Sequence, residues 1–211
     1  FVLIMNLLSS TSVFGFYTLL SRVLGYLRDI LIAIFLGTSI YADAFFVAFR
    51  LPNTFRRLFA EGTFNAAFIP SYAEEKLKGE NEGKKFADDV FNLLLYVLIA
   101  LIIIVEIFTP FVVYLIAPGF YENSEKFNLA IEFTRITFPF LLFVSLSSML
   151  SGILNTNNKF AAAAAAPIVL NVILILSLLF SFYFKLNIAK SLSAGVTFAG
   201  ILPIFTSNYF Y

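Results

Sequence analysis

Five arginines and three carboxylates carry most of the chemical potential near the start of this chain: Arg22, Arg28, Arg50, Arg56 and Arg57 against Asp29, Asp43 and Glu61. Guanidinium stays protonated at any physiological pH, sheds water more readily than ammonium, and can clamp phosphate oxygens through two parallel hydrogen bonds. An excess of two positive charges, all from arginine, fits a phosphate-bearing ligand that enters a cavity. The spacing supports a shared wall. At about 100° per residue, Asp43, Arg50, Arg57 and Glu61 fall within roughly 40° of one direction on a helix. Arg22 and Asp29 share a face on the preceding segment, whereas Arg28 points about 120° away from Arg22 on an ideal helix. Gly25 between them permits a local bend.

The segments that hold these residues are otherwise apolar. The 211-residue chain is 60% hydrophobic and only 13% charged, has 28 Phe, and has a mean hydropathy of +0.91. A soluble domain carries about 25% charged residues, so this composition describes an all-α integral membrane protein. An ionised side chain at the bilayer centre costs at least about 2.5 to 3.5 kcal/mol, so the charged stripe must face a wet cavity or a neighbouring helix. Zero Cys and zero His remove disulfides, thiolate nucleophiles, the usual general base and the commonest metal ligands. No cofactor or metal is expected with those residues absent, and no nucleic-acid partner, because 14 Lys and Arg balance 13 Asp and Glu.

About six spanning helices are predicted, at 7–36, 41–72, 90–117, 129–154, 160–184 and 191–211, forming one bundle over residues 1–211. The breaks fall at Gly37-Thr38-Ser39, in a charged loop over 73–89, at Pro118-Gly119, and at the polar run 155–159. Pro52 kinks the second helix, with Asn53 expected to satisfy the freed backbone groups. The run Ala161 to Ala166 reads as a close helix-packing surface. Glu106 is the lone charge in the third span, with no visible partner. Lys76, Lys78, Lys84, Lys85 and Lys159 crowd one set of loops, against Lys126, Lys185 and Lys190 on the other, which places the N-terminus in the cytoplasm. No signal-peptide pattern opens the chain, and Met5 reads as a natural start.

Several ungapped motifs then carry a family resemblance. Ser21-Arg22-Val23-Leu24-Gly25 with Arg28-Asp29, Asp43-Ala44-Phe45-Phe46-Val47-Ala48-Phe49, Leu51-Pro52-Asn53 and Arg56-Arg57-Leu58-Phe59-Ala60-Glu61-Gly62 resemble the N-terminal signature of the MurJ/MviN lipid II flippases. Ala117-Pro118-Gly119-Phe120, Phe138-Pro139, Gly152-Ile153-Leu154-Asn155-Thr156 and Lys159-Phe160 continue the likeness. What the resemblance implies is a non-enzymatic, multi-pass transporter of the bacterial inner membrane, from the multidrug/oligosaccharidyl-lipid/polysaccharide exporter superfamily. Its substrate would be an undecaprenyl-diphosphate-linked peptidoglycan precursor, moved by alternating access between two bundles. By that likeness Arg22, Arg28 and Arg56 would contact the diphosphate. Ser21, Asp29, Asp43, Arg50, Asn53, Arg57 and Glu61 would line the cavity or its gate, Arg50 standing where a lysine is common.

Family members have about fourteen helices, so the resemblance implies one N-terminal lobe whose facing second lobe lies outside this chain. Thr206 to Tyr211 match no family motif. Another lipid-linked oligosaccharide exporter, or a non-transporting membrane scaffold, is the alternative. A mixed-sign stripe gives no selectivity ring for an ion channel. Asp29 with Asp43 is the only carboxylate pair that an intramembrane enzyme could use.

Overall fold

The computed structural model describes residues 2–59, 63–156 and 161–208, with side chains from 15–56, 64–154, 156 and 166–202. Helix α1 runs Val2–Leu36 and ends at a turn that the sequence anticipates. Gly37 takes a left-handed φ of 57°, and its N–H donates to the Ala33 carbonyl at 3.0 Å, closing the helix as glycine does best. Two residues later the Ser39 hydroxyl accepts from the Ala42 N–H and caps α2, Ile40–Phe59.

The expected charged loop over 73–89 is instead helical almost throughout. Helix α3, Thr63–Lys78, and α4, Glu80–Ile107, meet at Gly79 alone. The composition explains the difference, since Glu and Lys are good helix formers and polarity rules out only a lipid-facing helix, not a wet one. Lys78 pairs with Glu75 at 2.6 Å, while Glu80 and Glu82 occupy the first turn of α4, where the helix dipole favours acids. The hairpin is tight because Gly83 lies against Lys76, leaving a Cβ only 3.0 Å from the Lys76 Cα.

Two predicted spans are broken. The third divides at Phe108 into α4 and α5, Thr109–Ile116, and a short 3-10 turn over Pro118–Glu122 follows. The fourth divides at Phe138-Pro139 into α6, Ser124–Thr137, and α7, Phe140–Thr156. Proline causes both, since it removes one N–H and its ring collides with the carbonyl four residues earlier. Helices α8, Ala161–Tyr183, and α9, Ile188–Asn208, lie close to the predicted bounds. The side chains of 161–165 fall outside the described residues. Among the described residues, no strand is present, and three stretches are long and apolar enough to cross a membrane: Glu80–Ile107, Ser124–Leu154 and Ala166–Tyr183.

At Pro110 and Pro52 a threonine hydroxyl donates to the carbonyl that the missing N–H would have reached. Pro110 cannot reach the Glu106 carbonyl, and the buried Thr109 hydroxyl donates there at 2.9 Å, sharing its proton with Val105. Pro52 cannot reach the Ala48 carbonyl. There the donor comes from another helix, the Thr137 hydroxyl of α6 at 3.2 Å, shared with its own Thr134 carbonyl. At the α6–α7 break, the Thr197 hydroxyl of α9 donates to the Ile136 carbonyl. Asn53 is therefore not the residue that heals the kink, as the sequence suggested. Thr137→Val keeps the volume and leaves a buried carbonyl unpaired, which costs about 1 to 3 kcal/mol. Its melting temperature in detergent should fall; an unchanged value would show that Ala48 finds another donor.

Two cores follow from this arrangement. One gathers Ile32, Phe45, Phe133, Phe140, Leu178 and Leu192, from α1, α2, α6, α7, α8 and α9. The other gathers Phe68, Leu94, Leu98, Phe138, Leu141 and Met149, from α3, α4, α7 and the α6–α7 break. Phe138 and Phe140 flank Pro139 and enter different cores, so the break lets one strand of chain serve both. Close helix approach depends on small residues, as is usual where lipid removes the drive to bury apolar surface. Gly195 sits against Ser177 of α8, and Gly200 against Phe140 and Phe143 of α7.

Candidate functional site

Helix α1 packs chiefly on α8 and α2 chiefly on α6, so the two arginine-bearing helices make little contact with each other after their shared turn. Depth along each helix follows from a rise of about 1.5 Å per residue. Measured from Gly37, Arg28 lies about 13 Å along α1, Arg50 about 20 Å along α2, Arg22 about 22 Å along α1 and Arg56 about 28 Å along α2. The four guanidinium-bearing positions thus spread over about 15 Å of helix on α1 and α2.

Arg28 is the best-held member. Its Nε and Nη2 donate to Asp29 Oδ1 at 3.0 and 2.8 Å, and its Nη1 donates to Asn171 Oδ1 of α8 at 2.8 Å. The side chain is 19% exposed, against 61% for Asp29, so the arginine is anchored inward while its carboxylate partner meets water. Asn171 is buried, and its Nδ2 donates to the Ser21 carbonyl at 2.9 Å. Gly25 lies beside this amide. A Cβ there would stand 3.5 Å from Asn171 Nδ2, so the amide sits where a larger side chain would project.

On α2, Arg56 Nε donates to Asn53 Oδ1 at 3.1 Å, one turn away. The Thr54 hydroxyl donates to the Arg50 carbonyl at 2.9 Å, next to the kink. Among the described residues, the exposed Arg22 and Arg50 side chains have no hydrogen-bond or ion-pair partner. Arg57 lies in α2, but its side chain, together with Glu61, is outside the described residues.

Asp43 departs from the other carboxylates. Its Oδ2 accepts from Lys126 Nζ, whose ammonium also lies 4.2 Å from the centre of the Phe120 ring. It clasps the start of α2 to the start of α6. A second clasp joins Lys190 of α9 to Glu132 of α6. Both pairs are partly exposed, so each contributes little stability, at most about 1 kcal/mol. Glu106, which had no visible partner in the sequence, lies 4.0 Å from Arg135 Nε of α6.

A model of the family described as "Lipid II flippase MurJ" matches residues 32–210. The chain belongs to the lipid II flippase MurJ family. A probable lipid II flippase MurJ of Rhizobium tropici is 44% identical over 205 residues, which is 95% of this chain and 38% of that protein. Its counterpart in Rickettsia prowazekii is 42% identical over 201 residues, covering 95% of this chain and 39% of that one. The solved structure of a lipid II flippase MurJ in an inward closed conformation superposes with a TM-score of 0.80 at 32% identity, over 93% of this chain and 41% of that chain. The chain therefore spans about two fifths of the length of the MurJ relatives it matches.

Within this MurJ-family fold, sequence reasoning missed Asn171. The signal was present, since Asn171 is the lone amide in the apolar run from Pro167 to Leu176. A buried amide in a membrane helix needs a partner, and that demand alone marks the position.

Proposed function

We propose that this chain forms the N-terminal lobe of a lipid II flippase, in which Arg22, Arg28 and Arg56 hold the diphosphate of an undecaprenyl-linked peptidoglycan precursor. The observation that carries the reading is the match of nearly the whole chain to proteins named lipid II flippase. The arginines on α1 and α2 support it: Arg22 and Arg50 are exposed without a described partner, and Arg28 keeps two N–H groups unengaged. Asp29, Arg50 and Asn53 line the same wall, and Ser21 contributes its backbone carbonyl to the holding of Arg28 through Asn171. Asp43 acts as a clasp at the outer end. A second lobe would supply the facing wall, and rocking of the two would expose the arginines to one side of the bacterial inner membrane and then the other. The lysine-rich α3–α4 hairpin lies in the cytoplasm on this reading, together with the N-terminus.

The full-length protein containing this segment should restore growth to a bacterial strain depleted of its own flippase, and lipid II should become accessible on the outer leaflet. In the same cells a cysteine placed at Gly79, in a chain with no natural cysteine in this segment, should be labelled only after the inner membrane is opened. Growth arrest with the protein inserted and abundant would overturn the proposal.

A further inference from the structure

We infer that Asn171 is a positioning residue that aims Arg28, and that it makes this aim depend on α1 being docked against α8. The inference rests on the reading of Arg28 as a diphosphate ligand and adds what holds that ligand in place.

Both ends of the Asn171 amide are engaged. Its Oδ1 accepts from Arg28 Nη1 and its Nδ2 donates to the Ser21 carbonyl, so the two partners fix which end is oxygen. One side chain of α8 thereby grips α1 at Ser21 and at Arg28, with Gly25 between them beside the amide. Asn171 is 5% exposed, so water does not substitute for either contact.

The chemistry of the holder matters as much as its place. Of five guanidinium N–H groups, Asp29 engages two and Asn171 one, which leaves two to meet phosphate oxygens. Asp29 already balances the charge of Arg28. A second carboxylate would turn the pair net negative and repel a diphosphate, whereas a neutral amide holds the guanidinium and leaves the balance unchanged. Free arginine side chains sample many rotamers; one gripped from two sides is preorganised for a planar, two-bond contact. Because one of the two grips comes from α8, separating α1 from α8 would release the guanidinium as well as unpack the helices.

The test uses the full-length protein in detergent and measures binding of lipid II to wild type, Asn171→Ala, Arg28→Ala and the double variant. Loss of one charge-assisted bond predicts about tenfold weaker binding for Asn171→Ala. A larger loss is expected for Arg28→Ala, with no additional loss when Asn171→Ala is combined with it. Undiminished binding by Arg28→Ala would remove the diphosphate reading itself. If Arg28→Ala weakens binding and Asn171→Ala does not, that reading stands and the positioning role falls. The positioning role also falls if Asn171→Ala weakens binding equally with and without Arg28, since a general packing defect would do that. Should Asn171→Ala fail to fold, the near-isosteric Asn171→Asp decides: it keeps a contact to Arg28, and binding is expected to drop by more than tenfold, while wild-type binding would refute the inference.

Discussion

Alanine in place of Arg28, made in the full-length protein, is expected to stop lipid II transport while the protein still reaches the membrane. The two remaining N–H groups of this guanidinium would each make a charge-assisted bond to a diphosphate, at about 1.5 to 3 kcal/mol per bond, so their joint loss weakens substrate binding on the order of a hundredfold or more. Lysine at the same position separates charge from geometry. Its ammonium carries the same charge but lacks the planar fork that engages Asp29 and Asn171 together, so partial transport is expected. The same series at Arg22 and Arg56 should be graded by how each is held. Arg22 is exposed and has no described partner, so Arg22→Lys should be tolerated better than Arg28→Lys. Arg56 is braced by Asn53 and should fall between them. Growth of a flippase-depleted strain on a full-length chain with alanine at all three positions would refute the assignment of this site.

The largest structural effect is expected at Gly200. A bare Cβ there would approach Phe140 Cδ2 and Phe143 Cβ to 2.9 Å each, and the Phe140 carbonyl oxygen to 3.3 Å. Phe140 is buried and begins α7 directly after Pro139, so its backbone has little freedom to retreat. Gly200→Ala should cost about 1 to 3 kcal/mol by overpacking, and Gly200→Leu more. The damage would spread. Thr197 lies one turn before Gly200, and its hydroxyl bond to Ile136 would stretch as α9 is pushed from α7. The expected readout is a lower unfolding midpoint in detergent, graded Gly, Ala, Leu; a Leu variant that melts with wild type would show that α7 and α9 do not pack as described.

What the sequence disclosed, and what it hid, divides along physical lines. The turn at Gly37-Thr38-Ser39 and the backbone group left unpaired at Pro52 depend on local chemistry, and both were legible. The breaks at Phe108 and Phe138-Pro139 were not, because Pro110 and Pro139 lie inside predominantly apolar stretches and hydropathy averages across them. The charged stretch over 73–89 misled in the opposite sense, since polarity was taken for a loop where water-exposed helices form. Partners across the bundle were hidden altogether. Nothing in one sequence says that Arg28 meets a residue 143 positions later, or that Asp43 meets Lys126 instead of an arginine on α1. The family motifs indicated which residues to watch; only the packing of α1 on α8 indicated what holds one of them.

The bond from Thr137 to Ala48 has a mechanical meaning. A bent helix ordinarily carries its own hinge, and the bend opens or closes by local adjustment. In α2 the donor to the carbonyl that Pro52 leaves unpaired belongs to α6, two residues before α6 itself breaks at Pro139. The heading of the portion of α2 beyond Pro52, with Asn53 and Arg56 on it, is therefore steered by a tiller mounted on another helix.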